Sequence, residues 1–388
     1  MHTINVSQMF EVLKNFWLAE TTHEGDSPRM VPLFISYPGV GKTSTCRRFC
    51  AWLNETTESE WVLYDYSVLQ STPEDMRGAV SFVDLEDNLR VTSNCPPQNF
   101  PLEGYPQSAG GKNVFIFLDE VKTAPTLMQQ LAACIVDGRV GDYKIDKTRT
   151  FVVLASNPDD TLGTFETPEN LKNRVCEIHI KADPSEWLPW AFERHLHPYV
   201  TSFIQIFPNL LSHPKPQTSH GFPSPRVWEN VSMFLDGREL DLSMPEFFFT
   251  PVMVGYLGPA VAHEFVTHCV TAGSKLNPRL VFEGKYSELP TKVSDSITLL
   301  DVCLYQVDWW IEQLQTNKEL DVSDYINRFF RWMDTELDTS LVLNRMSLRS
   351  EEQRKALAEY LYSNPDTGQS REIYSKLCAQ TLVPKTQD

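Results

Sequence analysis

The 388-residue chain carries 34 basic against 51 acidic residues, a formal charge of −17, which argues against extended contact with a nucleic-acid backbone bound through Lys and Arg. No apolar run reaches the roughly 18 residues of a membrane-spanning helix, and the opening "MHTINVSQMFEVLKN" lacks the basic-then-apolar layout of a signal peptide. Eight scattered cysteines make no C-x-x-C pair, so the expectation is an acidic cytoplasmic protein without a zinc site or disulfide frame.

Five apolar runs punctuate the first half, at 31–36 (VPLFIS), 61–67 (WVLYDYS), 113–118 (NVFIFL), 151–156 (FVVLAS) and 175–180 (VCEIHI). Most are continuous rather than alternating, as expected of strands covered on both faces of a parallel sheet. Helix-compatible stretches lie between them, such as 124–138, which ends at Gly138. The alternation predicts an α/β domain built on a parallel sheet of five strands, over residues 1–183.

The first run leads into "FISYPGVGKTSTCRR" (34–48). The phosphate-binding pattern G-x-x-x-x-G-K-[ST] is completed here by Gly41, Lys42 and Thr43, with Ser36 where the pattern begins with glycine. Serine is small and turn-competent, so the loop is expected to form with some change of geometry. The candidate nucleotide-binding residues are Pro38, Gly39, Val40, Gly41, Lys42, Thr43 and Ser44. Backbone N–H groups would surround the phosphates, Lys42 would reach the outer ones, and Thr43 would hold Mg²⁺. The competing reading is a glycine turn that a lysine happens to follow.

The third run, "VFIFLDE", ends in Asp119 and Glu120. Two acids on a strand tip have a use beside such a loop: Asp119 would hold Mg²⁺ through water, and Glu120 would polarise the attacking water. The next run delivers Asn157 at its tip, where an amide can orient that water or the γ-phosphate. An Asx turn ahead of Pro158 accounts for Asn157 equally well on local grounds.

After about residue 183 the strand signals stop. "SPRVWENVSMFLDG" reads as a helix with Ser224 as N-cap, Pro225 at its first position and Val227, Val231 and Phe234 on its apolar face. From about 274 two further stripes show helical spacing: Leu300, Leu304, Val307, Ile311 and Leu314, then Val322, Ile326, Phe329 and Met333. "HEFVTH" (263–268) is set aside as a metal site, because its histidines are five apart and diverge on a helix. Cys46 and Cys50 read as core, and Trp309 and Trp310 as core or interface.

Taken together, these residues resemble the AAA+ ATPases, and within them the MoxR-like branch. "STPEDMRGAVSF" (71–82), "DGRVGDYKIDKTRTFVVLASNPDD" (137–160) and "FPSPRVWENVS" (222–232) are similar to that branch's helix-2 insert, pre-sensor hairpin and lid segment. The resemblance spans roughly residues 30–270. It implies a large ATPase domain (1–183, insert at about 79–95, hairpin at about 139–150), a helical lid (184–273) and a C-terminal helical extension (274–388). It implies a Mg²⁺-dependent, ATP-hydrolysing, ring-forming motor, a homohexamer by analogy, that remodels protein partners, with a von Willebrand factor A-type protein as one such partner. Arg226 matches sensor 2, in cis or in trans. Arg174 matches the finger offered to a neighbour's γ-phosphate, against the simpler reading of a strand-edge ion pair. The runner-up is a nucleic-acid-directed motor, helicase-like or restriction-associated, with Lys144, Lys147 and Arg149 as its footing. A nucleotide-binding scaffold that hydrolyses little is a third reading, disfavoured by the intact Asp119–Glu120 pair.

Overall fold

A computed structural model describes residues 2–22, 29–84, 89–158, 169–194, 196–212, 221–236, 244–275, 278–289, 293–316, 322–347, 349 and 351–363. Its contacts divide the chain into one unit over Met1–Ala182 and another over Asp183–Asp388. In the first unit the elements follow as β1 (Thr3–Ile4), α1 (Val6–Thr22), β2 (Val31–Ile35), α2 (Lys42–Thr56), β3 (Trp61–Ser67), α3 (Pro73–Arg77), β4 (Ala79–Asp84), β5 (Arg90–Cys95), β6 (Asn113–Asp119), α4 (Thr126–Val136), β7 (Arg139–Val140), β8 (Tyr143–Lys144), β9 (Thr150–Ser156), α5 (Glu169–Lys172) and β10 (Val175–Ile180).

Six strands form one parallel sheet in the order β1-β10-β2-β9-β6-β3. The five apolar runs are its five long strands. The sixth, β1, is a two-residue edge strand that apolar-run reading passes over. The continuous runs divide by parity. Leu33, Ile35, Val114, Ile116, Leu118, Val152 and Leu154 enter one core, with Met128, Ala132 and Val136 of α4. Phe34, Phe115, Phe117, Phe151 and Val153 enter the other, against Phe10 of α1 and Phe49 of α2. Two covered faces explain why the runs do not alternate with polar residues.

The predicted insert is an antiparallel hairpin of β4 and β5 with Val80, Phe82 and Val83 at 55%, 67% and 44% exposure. Its tip at 85–88 lies outside the described residues. The hairpin expected at 139–150 is shorter than drawn from sequence. Its paired residues are 139–140 and 143–144, followed by a 3-10 turn at Lys147–Arg149 that Asp146 caps.

Arg29 is buried in this unit, where its Nη1 donates to the Thr150 carbonyl at 3.2 Å and lies 3.8 Å from Glu20 Oε1. Burial pushes the Glu20 carboxyl up from an ordinary value of 4.5 to about 7, with Arg29 opposing the shift. The folded chain therefore keeps a proton that the unfolded chain releases between these two pH values. Stability from this group is present below about 4.5 and is lost as pH rises through about 7. Melting temperatures measured from pH 5 to 8 should fall less in Glu20→Gln than in the parent. Parallel curves would contradict the assignment.

The second unit is helical in its described residues: α6 (Pro184–Glu193), α7 (Pro198–Ile206), α8 (Pro225–Leu235), α9 (Phe249–Leu257), α10 (Pro259–Lys275), α11 (Pro278–Glu283), α12 (Val293–Thr316), α13 (Ser323–Glu336), α14 (Thr339–Ser347) and α15 (Glu351–Ser363). Ser224 caps α8 through the Val227 N–H, and Pro225 opens the helix, as its sequence indicates. The buried face differs from the expected one. Trp228, Val231 and Leu235 face inward, whereas Val227 and Phe234 are half-buried. Trp228 decides this rotation: it packs on Phe203 and Phe265, and its indole N–H donates to the Leu210 carbonyl at 3.1 Å. A large ring with a satisfied N–H outweighs a valine in choosing the face. In α12 and α13 both apolar stripes face one core, with Leu314 at its margin. Trp310 packs edge-on against Phe282 and stacks on Tyr325, as a core-margin residue does. The Trp309 side chain lies outside the described residues. Among the described helices none is long and apolar enough to cross a membrane.

Candidate phosphate and catalytic site

The sheet order sets three strand ends side by side. β2 pairs with β9 so that Ile35 is level with Ser156, which brings Ser36 level with Asn157. β6 lies on the far side of β9, and β3 beside it with Ser67 level with Asp119. The loop after β2, the Asp119–Glu120 tip and Asn157 therefore occupy one end of one sheet, where parallel α/β sheets receive ligands.

Between β2 and α2 the chain turns through Tyr37–Gly41. Gly39 (φ 80°) and Gly41 (φ 119°) both occupy the left-handed region that a side chain disfavours. Gly41 then serves as N-cap of α2, its carbonyl accepting from the Thr45 N–H and hydroxyl at 3.0 Å each. A 15-residue helix thus starts at Lys42 and aims its N-terminal turn, with Thr43 and Ser44, at the loop. That arrangement favours an anion. The Lys42 side chain is buried, and its Nζ folds back to donate to the Ser36 carbonyl at 3.0 Å and the Ser36 hydroxyl at 2.9 Å. Behind the loop Cys46 and Cys50 are buried as expected, and burial pushes both thiols up. All seven cysteines among the described residues are free.

Glu120 adopts φ 60° and ψ 30°, a left-handed conformation rare for a residue with a side chain. Its N–H donates to Asp119 Oδ1 at 2.8 Å, and its carbonyl accepts from the Thr123 hydroxyl at 2.7 Å. Local strain of this kind persists where surrounding contacts enforce it. The carboxylate itself accepts a hydrogen bond from the Ser67 hydroxyl at the end of β3. Ser67 is a site residue that the sequence reading missed. Its signal was available, as the polar residue ending the run "WVLYDYS" on the strand next to Asp119. Asp65, two residues earlier, is pushed up by burial and by the Asp119 charge, against Arg47 at 3.6 Å. Asn157 is half-buried just beyond β9.

The two arginines belong to other elements. Arg174, between α5 and β10, holds Asp137 at the end of α4 through Nε at 2.5 Å. The ion-pair reading of Arg174 is thus what the structure displays, with both side chains partly exposed. Arg226 is exposed in the first turn of α8, in the second unit. His263 is exposed and bonds the Pro259 carbonyl, whereas His268 is half-buried and bonds Ser202, so "HEFVTH" brings no metal pair together.

Thr43 and Asp119 offer a hydroxyl and one carboxylate, a hard-oxygen pair suited to Mg²⁺ that shares phosphate and water ligands. Among the described residues no group of three or more His, Cys, Asp or Glu forms a self-sufficient metal site. The donors fit a metal that arrives with a nucleotide.

No family model matches the chain, and no curated protein matches it. Among solved structures it is similar to a proposed ATPase from Cytophaga hutchinsonii, at 18% identity over 46% of this chain, with a TM-score of 0.29. It is also similar to C. elegans PCH-2, at 12% identity over 78% of this chain and 69% of that one, with a TM-score of 0.31. The chain spans about half (47%) of the first of these. Likenesses this distant assign no activity, which has to rest on the site.

Proposed function

We propose that the chain is a Mg²⁺-dependent ATP hydrolase of the AAA+ class and MoxR-like type, acting as a ring that remodels protein partners. The observation that carries this reading is the shared sheet end, with the left-handed glycine loop and Lys42 on one side of β9 and the Asp119–Glu120 tip on the other. Lys42 and the loop N–H groups would bind the β- and γ-phosphates, with Thr43 and Asp119 holding the metal. Bound Mg²⁺ would offset phosphate charge. Glu120 would take the proton of the attacking water, and Asn157 would orient that water. Arg174 would act on a neighbour's γ-phosphate, which requires release from Asp137, and Arg226 would sense nucleotide in cis or in trans.

The hydrogen bond from Ser67 ties the Glu120 carboxylate to β3. Ser67→Ala should free it, raising basal turnover by up to about tenfold at unchanged ATP affinity, the low end of what a single hydrogen bond to a charged group is worth. An unchanged rate would show that the tether does not restrain the base.

A protein client is favoured over a nucleic acid by what the hairpin cations touch. Lys144 lies 3.9 Å from Glu103, and Arg149 donates to the Ser108 and Lys112 carbonyls at 2.9 and 2.8 Å. Arg149 is thereby a structural brace. Meanwhile β4 and β5 present Phe82 and Val80 to solvent beside Asp84. The test is ATP turnover with an unfolded polypeptide, with a co-purifying von Willebrand factor A-type protein, and with DNA or RNA. Stimulation by protein is expected. Stimulation by nucleic acid alone, lost on neutralising Lys144 and Lys147, would overturn the protein-remodelling reading.

A further inference from the structure

Ser36 is where this chain departs from the phosphate-loop pattern, and the structure shows what the departure does. Its backbone is not in the left-handed region that Gly39 and Gly41 occupy, so position 36 has no conformational need for glycine. Its N–H donates to the Ser156 carbonyl at 3.2 Å, which extends the β2–β9 ladder by one residue. Only 2% of Ser36 is exposed. Its hydroxyl donates to the Tyr37 carbonyl at 3.1 Å, which leaves oxygen lone pairs to face Lys42 Nζ at 2.9 Å. The carbonyl of residue 36 accepts from the same nitrogen at 3.0 Å and would be present with any residue there. The hydroxyl is the acceptor that glycine would lack.

We propose that the Ser36 hydroxyl is a positioning group that sets the Lys42 ammonium for the outer phosphates, an inference that rests on the phosphate-loop reading above. An ammonium has three donors in no fixed plane on a flexible stem. Two acceptors on one residue, six positions back across the loop, fix where that charge sits before a ligand arrives. Fixing it in advance removes ordering cost from the binding step. Hydrogen bonds to an ionised donor are about twice as strong as neutral ones, so losing one matters most for ligands that the ammonium reaches.

The experiment is calorimetric titration of the full-length chain with ATP, ADP and AMP, for the parent, Ser36→Ala, Ser36→Gly, Ser36→Thr and Lys42→Ala. The alanine and glycine variants should lose about tenfold in affinity for ATP and ADP and keep their affinity for AMP. Ser36→Thr, which keeps the hydroxyl, should bind like the parent. Equal losses across all three nucleotides would mean that Ser36 merely shapes the loop, and unchanged ATP affinity would mean that the hydroxyl is idle. Either result overturns the proposal. Failure of the underlying reading looks different: Lys42→Ala would then bind ATP as the parent does. Should Ser36→Ala misfold, Ser36→Gly, which restores the residue of the general pattern, carries the same comparison.

Discussion

Glu120→Gln is expected to bind ATP as tightly as the parent and to lose turnover by about a hundredfold or more, the usual contribution of a positioned general base. The substitution keeps shape and an oxygen acceptor, so the Ser67 hydrogen bond and the left-handed turn at φ 60° should survive. What disappears is the ability to take a proton. Affinity and rate therefore separate, which is the signature of a group acting only in the transition state. Equilibrium binding beside steady-state phosphate release reads both quantities. Parental turnover in this variant would remove Glu120 as the base and leave Asp65 or Asp119 to be tested.

The second large effect concerns Arg174. An arginine finger offered in trans is worth about 10³-fold or more in rate, so Arg174→Ala should be nearly inactive in an otherwise intact ring. Mixing Arg174→Ala subunits with Glu120→Gln subunits creates some interfaces that pair an intact Glu120 with a neighbour's intact Arg174. Those interfaces should recover part of the activity that each variant lacks alone. The ion pair with Asp137 adds a control, because Asp137→Asn should release the arginine without removing it. If Arg174 is only a brace between α4 and β10, both Arg174→Ala and Asp137→Asn should lower stability together. Mixing would then restore nothing. A heterologous contact of the kind proposed must close on itself, so size measurements with ATP should show a closed ring.

The sheet was readable from sequence because its central strands, β2, β9 and β6, are covered on both faces. Phe115 and Ile116 enter different cores, so neither face calls for polar residues and the run is unbroken. The loop was equally readable, since Gly41, Lys42 and Thr43 are adjacent in the chain and need no tertiary knowledge. What sequence missed depends on packing or on pairing across strands. β1 is two residues long and exists because it pairs with His179 and Ile180 far along the chain. Ser67 meets Glu120 only because β3 lies beside β6 in register. The face of α8 was misjudged because spacing weighs all apolar residues alike. Packing instead chose Trp228, whose ring meets Phe203 and Phe265. Ser36 looked like a flaw in the pattern, and only side-chain geometry shows its hydroxyl bonded to Lys42.

The central claim is that the loop at 36–44 holds the phosphates of a nucleotide that this chain hydrolyses. Phosphate release from Mg-ATP by the purified parent, beside Lys42→Ala at matched concentration, tests it most directly. Lys42 is buried and reaches back across the loop at 2.9 and 3.0 Å, so its loss removes an ammonium held at the loop. Metal-dependent turnover by the parent, and loss of both ATP binding and turnover in a Lys42→Ala chain that melts at the parental temperature, is the predicted result. Equal ATP binding and equal phosphate release by the two proteins would contradict it.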